Sequence, residues 1–471
     1  MLNAFADSHA DALRKRMPDL AIKPAEQRYL EEPRGKWAGL PTYVAMPRSV
    51  EAVSEIVKAA NELLFPIHAY GGGTGLVGGQ LTTTGPAPLI LSMEKMNAIR
   101  DVFPSENTLI AEAGVTLETI HNAAADINRL CPLTYGSKGT AQIGAGLAVN
   151  SGGLNVLRYG MARDLCLGIE AVLPNGDILH GLKRLKKDNT GYDLRHLLIG
   201  SEGTLGLITA TSLKLSPRPT NTATAILTVP SPAAALELLG RTWDAAGEVI
   251  SAFELLSGTG FEFLAEKFPE MRQPFAEIPK WAVLGELATS GDTEPQSILE
   301  TLFAEAFEDG LVEDGLIASS GQQAGAFWAM RETIPLANRA IGAIASHDIS
   351  LPLSELAGFI DAMTQELTAI APVRLNCFGH LGDGNMHFNV FPPKGRDRKD
   401  FADIAPQISR LVHDRVVELG GSFSAEHGLG RLKTADLERY SDPTKLTTMR
   451  TLKTALDPNG ILNPGVVLAE T

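Results

Sequence analysis

An α+β fold of more than one domain is what this sequence predicts, on three observations. The chain has 471 residues, more than one hydrophobic core usually supports. Helix-period and strand-like segments are interleaved along it without an internal repeat. Midway, Pro217, Pro219, Pro230 and Pro232 punctuate the pattern and separate two such sets, as prolines do at domain boundaries.

The first helix is expected after Ser49. Val50, Val53, Ile56, Val57, Ala60 and Leu64 recur at helical spacing, Ser49 supplies an N-cap and Glu51 an acidic first turn. A strand-like segment at 65–70 follows, then Gly71-Gly72-Gly73-Thr74-Gly75-Leu76-Val77-Gly78-Gly79. From Gly85 to Gly206, short apolar runs at 89–91, 108–111 and 169–173 alternate with glycine-rich connections. Beyond the prolines, helices are expected near 232–246 and 296–309 and strands near 223–229 and 281–287. The last fifty residues read as a helix followed by a turn-rich tail at 457–465.

Composition narrows the function. With 44% hydrophobic and 20% charged residues the chain is an ordinary globular protein. The net charge of -14 and a densest basic run of only Lys183-Arg184-Leu185-Lys186-Lys187 weigh against nucleic acid as a partner. An anionic substrate would have to be held by local Arg, Lys, metal or N–H groups. Cys131, Cys166 and Cys377 form no CxxC, haem or iron–sulfur spacing, so redox chemistry would rest on another cofactor. A polar start at 1–20 and the lack of an apolar stretch of about 18 residues predict a cytoplasmic protein without a transmembrane segment.

Gly73, Gly75 and Gly78 fit GxGxxG, but no helix pattern opens at them, so a Rossmann unit is not expected. Consecutive glycines can still turn successive N–H groups inward around a phosphate, with the Thr74 hydroxyl as a further donor. Two more segments share this character: 135–140, which leads into Gly144-Ala145-Gly146 and Asn150-Ser151-Gly152-Gly153, and 200–206. Three such loops suit an extended cofactor touched mostly by backbone.

Around 376–390, Asp383-Gly384 is the pair that favours a two-residue hairpin turn. That turn would pair Gly382 with Asn385, Leu381 with Met386 and His380 with His387. Two imidazoles so placed would either share one metal or hydrogen-bond to each other. Asn389 would point to the same face as His387. Glu426 and His427 stand side by side, one suited to metal and the other to substrate; two His and one carboxylate with an open position is a known zinc arrangement.

The loop at 71–79, the stretches at 152–160, 188–194 and 200–206, and the tail at 457–465 together resemble the FAD-linked oxidases of the vanillyl-alcohol oxidase type. Within them the chain is similar to the D-2-hydroxy-acid dehydrogenases, over nearly its whole length. The resemblance implies a two-lobed FAD-binding domain at 1–217, a substrate-binding cap domain with the metal hairpin at 218–422, and a segment at 423–471 that returns to the FAD domain. It implies non-covalent FAD, with Gly71, Gly72, Gly73, Thr74 and Gly75 around the pyrophosphate and Gly144, Gly146, Asn150 and Ser151 along the flavin side. Gly78, Gly136, Ser137, Gly139, Thr140, Gly153, Glu202, Gly203 and Gly206 would also bind the cofactor. Ile208 would support the adenine region and Asn463 would sit near the isoalloxazine ring. His68 lies close to the first loop but not at the family's covalent attachment position.

The resemblance further assigns His380, His387 and Glu426 to a divalent metal, zinc first for N/O ligands. His427 becomes the general base, Arg331 the bidentate partner of a substrate carboxylate, and Asn389 a member of the same site. The implied reaction moves a hydride from a D-2-hydroxy acid (D-2-hydroxyglutarate, D-lactate or D-malate-like) to the flavin. Partners would be the small anionic acid and an external electron acceptor: an electron-transfer flavoprotein, a quinone or a partner subunit. A homodimer is compatible with this reading. One departure stands at Ser346-His347-Asp348-Ile349-Ser350-Leu351-Pro352, where hydroxyglutarate-type relatives commonly carry a Lys; Lys433 is a candidate substitute. The alternative reading is an electron-transfer flavoprotein subunit of a larger glycolate- or lactate-oxidising complex.

Overall fold

The computed structural model describes residues 2–35 and 37–469 and has the α+β class expected. The chain divides into two compact units: Met1–Gly153, Tyr159–Pro217 and Glu426–Thr471 form the first, Leu154–Arg158 and Arg218–Ala425 the second.

In the first unit, the expected helix runs Val50–Leu63, and the Ser49 side chain accepts from the Ala52 N–H at 3.3 Å. Its apolar stripe, Val53, Ile56, Val57 and Ala60, is fully buried against Phe65, Ile67, Leu89 and Leu91. The last three of these belong to a four-stranded sheet ordered Ala21–Pro24, Tyr43–Met46, Leu89–Ser92, Ile67–Tyr70, whose last three strands are parallel. The same helix reaches a second sheet through Ser54, which donates to the Gly176 carbonyl at 2.5 Å, and Asn61, which donates to that of Pro174 at 2.6 Å. Replacing Ser49 with Ala should cost about 1 kcal/mol, as loss of one cap does, measured as a lower midpoint in urea unfolding.

The second sheet is antiparallel, ordered Ile99–Phe103, Thr108–Glu112, Leu207–Lys214, Cys166–Val172, Ile178–Gly181. Helices Leu117–Asp126 and Ile143–Val149 bury Leu117, Ile120, Ile143 and Leu147 with its apolar face. After helix Pro443–Leu456 the tail runs beside the strand Ile67–Tyr70: the Ile67 N–H bonds Ile461 and the Asn463 N–H bonds Ile67. The element after Ile67–Tyr70 is the strand Leu89–Ser92, so no helix opens at the glycine loop.

The second unit is built on one seven-stranded antiparallel sheet. Its order is Asp314–Ile317, Asn221–Val229, Trp281–Thr289, Ile250–Ser257, Arg374–His380, Asn385–Phe391, Ala345–Ser350. Helices Pro232–Ala246, Pro295–Glu308, Leu353–Ile370 and Ala405–Glu418 pack on one face. Gly258–Lys267 and Gly321–Ile341 pack on the other. With both faces covered, the central strand Ile250–Ser257 is buried throughout, the charged Glu254 included. No helix among the described residues is long and apolar enough to cross a membrane.

Candidate active site

In the first unit the glycine loop is pressed against the segment at 140–145. A Cβ on Gly72 would lie 2.0 Å from the Thr140 carbonyl oxygen, and one on Gly71 2.6 Å from Cβ of Ala145. Only glycine permits that approach. Among the described residues, none accepts a hydrogen bond from the main-chain N–H groups of Gly72, Gly73 or Thr74. Successive N–H groups without a protein acceptor fit the phosphates of a dinucleotide. Gly144 and Gly146, by contrast, donate to Ala113 and Gln142, and the side-chain oxygen of Asn150 accepts from the Arg163 N–H at 3.0 Å. The N–H groups of these two glycines are thus engaged within the protein. Gly136 has open space where a Cβ would stand, and Ile208 is buried in the second sheet.

His68 lies beneath this loop and is 1% exposed. Its Nδ1 is 3.0 Å from the Thr82 hydroxyl and its Nε2 2.7 Å from the Gly79 carbonyl. Burial, with the Arg431 guanidinium nearby, pushes its pKa down to about 3, against the opposing bond to Gly79.

The returning segment is tied to the third glycine loop. The Glu202 carboxylate accepts from the N–H groups of Leu429 at 2.7 Å and Gly430 at 2.9 Å, and a Cβ on Gly428 would touch it. Burial pushes the Glu202 carboxyl up from its ordinary value, while those two donors and Lys433 oppose the shift. Asn463 spans two elements: its Oδ1 accepts from the Ala69 N–H at 2.8 Å and its Nδ2 donates to the Glu202 carbonyl at 2.6 Å. Gly203, at φ +71, leaves room for that amide. Just upstream, a Cβ on Gly152 would lie 2.7 Å from the Glu426 carboxylate. Glu426 and the next residue, His427, are half-buried.

In the second unit the hairpin differs from expectation. The turn comprises Leu381–Asp383 as one 3-10 turn closed by Gly384 at φ +78, whose N–H bonds the Leu381 carbonyl at 3.2 Å. His380 therefore pairs with Asn385, Gly379 with Met386 and Phe378 with His387. The expected direct pairing of His380 with His387, Leu381 with Met386 and Gly382 with Asn385 is corrected: the loop takes four residues rather than two. The change shifts the register by two, so side-chain faces are preserved. His380 and His387 are diagonal neighbours on one face, ring centroids 5.9 Å apart, and Asn389 shares that face, opposite Asn376 and Ser346.

Two acidic residues that the sequence reading missed stand directly across from these histidines. Glu254 pairs with His380 and Asp348 with His387. Glu254 is 1% exposed and accepts at both carboxylate oxygens: from the His380 Nδ1 at Oε1, and from the Arg331 Nε at Oε2, 2.6 Å away. Burial opposes its ionisation, but Arg331 and His380 hold it down to about 2. Arg331, on helix Gly321–Ile341, is itself buried and lies over the Phe378 ring at 4.8 Å. No described residue accepts from its two terminal nitrogens. Asp348 accepts from Asn385 at 3.0 Å and lies 4.0 Å from the His387 Nδ1. Of the segment at 346–352, His347 turns to the opposite face, where its Nδ1 meets the Phe388 carbonyl and its ring the His413 ring.

Comparison with known proteins agrees with this architecture. Residues 41–181 match the FAD binding domain and residues 218–467 the FAD linked oxidases, C-terminal domain. The chain is 34% identical to the D-2-hydroxyglutarate dehydrogenase of Xanthomonas citri pv. viticola, over 98% of this chain and 97% of that protein. It is 37% identical to the mitochondrial D-2-hydroxyglutarate dehydrogenase of Danio rerio, over 89% of this chain and 76% of that protein. Its fold matches p-cresol methylhydroxylase with substrate bound at a TM-score of 0.74, 16% identity and 99% coverage of each chain. A family match over more than half the chain, together with relatives of this identity and coverage, settles the lineage: the chain belongs to the FAD-linked oxidases and is an FAD-binding oxidoreductase.

Proposed function

We propose that this enzyme oxidises a D-2-hydroxy acid to the 2-oxo acid, with D-2-hydroxyglutarate the first candidate and D-lactate and D-malate the next. The observation that carries the reading is Arg331: a buried guanidinium, held through Nε, whose terminal nitrogens no described residue engages. Such a fork suits a carboxylate bidentately, and it shares a sheet face with two imidazoles. The names of the relatives point the same way.

Bound FAD would supply the hydride acceptor. The N–H groups of Gly72, Gly73 and Thr74 would receive its phosphates, and the loops at 136–153 and 200–208 and Asn463 would line the rest. Arg331 orients the acid through its carboxylate, with Asn389 beside it. His427 takes the hydroxyl proton as the C–H bond breaks, since the product is a neutral carbonyl. His380, His387 and Glu426 would hold a divalent metal, zinc first, which lowers a hydroxyl pKa where it binds. The two imidazoles on one face fit that role, because Glu254 occupies Nδ1 of His380 and leaves the lone pair to Nε2.

Anaerobic mixing with D- and L-2-hydroxyglutarate, lactate and malate tests this. Flavin absorbance should bleach with a D-acid and not its enantiomer, and the bleaching should slow at least tenfold after chelation or in His380→Ala, in line with the weight of a metal ligand. Protein that keeps FAD and zinc yet bleaches with none of these acids would sink the proposal.

A further inference from the structure

Glu254 lies on a strand that carries none of the residues assigned above, yet it touches two of them. We infer that Glu254 is a positioning residue that sets the metal ligand and the substrate anchor together: it fixes the ring proton of His380 on Nδ1 and clamps Arg331 through Nε. The inference rests on the metal and carboxylate roles proposed for those two residues.

The argument is one of donors and acceptors. Glu254 and His380 are direct cross-strand partners, so strand pairing brings the carboxylate to the ring. Arg331 arrives from the helix Gly321–Ile341 and meets the second oxygen at 2.6 Å. Both neighbours offer an N–H, and only a group that accepts at both ends satisfies them. Glutamine accepts at one end alone. If its oxygen stays on Arg331, its NH2 faces Nδ1, which must then accept, and the ring proton moves to Nε2. If the amide turns over, its NH2 opposes the Arg331 N–H. In the first case His380 keeps a hydrogen bond but loses the Nε2 lone pair that a metal would use; in the second Arg331 faces a donor, and at 1% exposure solvent does not relieve that conflict. Carboxylates bonded to the outer nitrogen of a ligating histidine tune metal affinity by about 10–100-fold.

The test uses FAD-loaded protein stripped of metal and titrated with Zn2+ alone, beside steady-state kinetics with the acid that bleaches the flavin. In Glu254→Gln, the zinc Kd should rise about 10–100-fold and KM should rise by a larger factor than kcat falls. If wild type binds zinc stoichiometrically, His380→Ala does not, and Glu254→Gln matches wild type in Kd and KM, the inference is overturned while the metal reading stands. If wild type binds no zinc, or His380→Ala binds it equally well, the metal reading falls first and this inference with it. Nitrogen-15 NMR of the wild-type, metal-free protein decides the tautomer even if Glu254→Gln fails to fold. The His380 ring, assigned by its loss in His380→Ala, should carry its proton on Nδ1, and a proton on Nε2 overturns the inference.

Discussion

Replacing His427 with Asn should lower kcat by about 10²–10⁴-fold, the usual contribution of a positioned general base, with the flavin spectrum unchanged. The size follows from how firmly the turn bearing His427 is held. Leu429 and Gly430 donate to a buried carboxylate. Arg431 and Leu432 donate to the Val77 carbonyl on the first glycine loop, and Val467 donates to Gly430. In the proposed role of base, His427 on so constrained a turn has little freedom to lose on meeting substrate, so its removal should appear in kcat rather than in KM. Stopped-flow bleaching reads the chemical step directly. A fall of less than about fivefold, well below what general-base loss produces, would remove His427 from that role and leave it a hydrogen-bonding neighbour.

The helix after Ser49 and the glycine loop were legible because their signals are local: a cap, a period and a run of residues without Cβ. The hairpin was legible only up to parity. Asp383-Gly384 signals a tight turn, but Gly384 closes a 3-10 turn rather than half of a two-residue one. That choice depends on Leu381 being buried in the sheet's core and on Gly384 fitting against the Leu351 carbonyl, neither of which is local. Because the register moved by two, the two histidines kept one face.

Glu254 was missed although a signal existed. Within Ile250-Ser251-Ala252-Phe253-Glu254-Leu255-Leu256-Ser257 it is the one charged residue, and an ionised group in a buried strand must have partners. Which partners they are, His380 and Arg331, follows only from tertiary pairing across more than seventy residues. The role of Glu202 was hidden in the same way. Its carboxylate receives the backbone of the returning segment, a contact that no local signal announces.

Acid should weaken the first unit through His68, independently of catalysis. The ring is buried and neutral, with both nitrogens engaged, and its pKa is pushed down to about 3 from an unfolded value of 6.5. Below pH 6.5 the unfolded chain takes up a proton that the folded one refuses, so stability rises with pH in this window. The contribution is therefore complete above pH 6.5 and is lost progressively as pH falls towards 3. At about 1.36 kcal/mol per pH unit, the loss is about 2 kcal/mol by pH 5 and about 5 kcal/mol near pH 3. In His68→Gln, which keeps a donor and an acceptor but cannot titrate, the decline from pH 7.5 to pH 5 should be shallower by that 2 kcal/mol. Urea unfolding of both proteins at the two pH values measures the difference. Equal declines would mean that another group carries the acid sensitivity and that His68 meets no barrier to protonation. A shallower decline in the variant would mean that the loop above His68, which offers its N–H groups to the phosphates in the proposed function, rests on an imidazole kept neutral by burial.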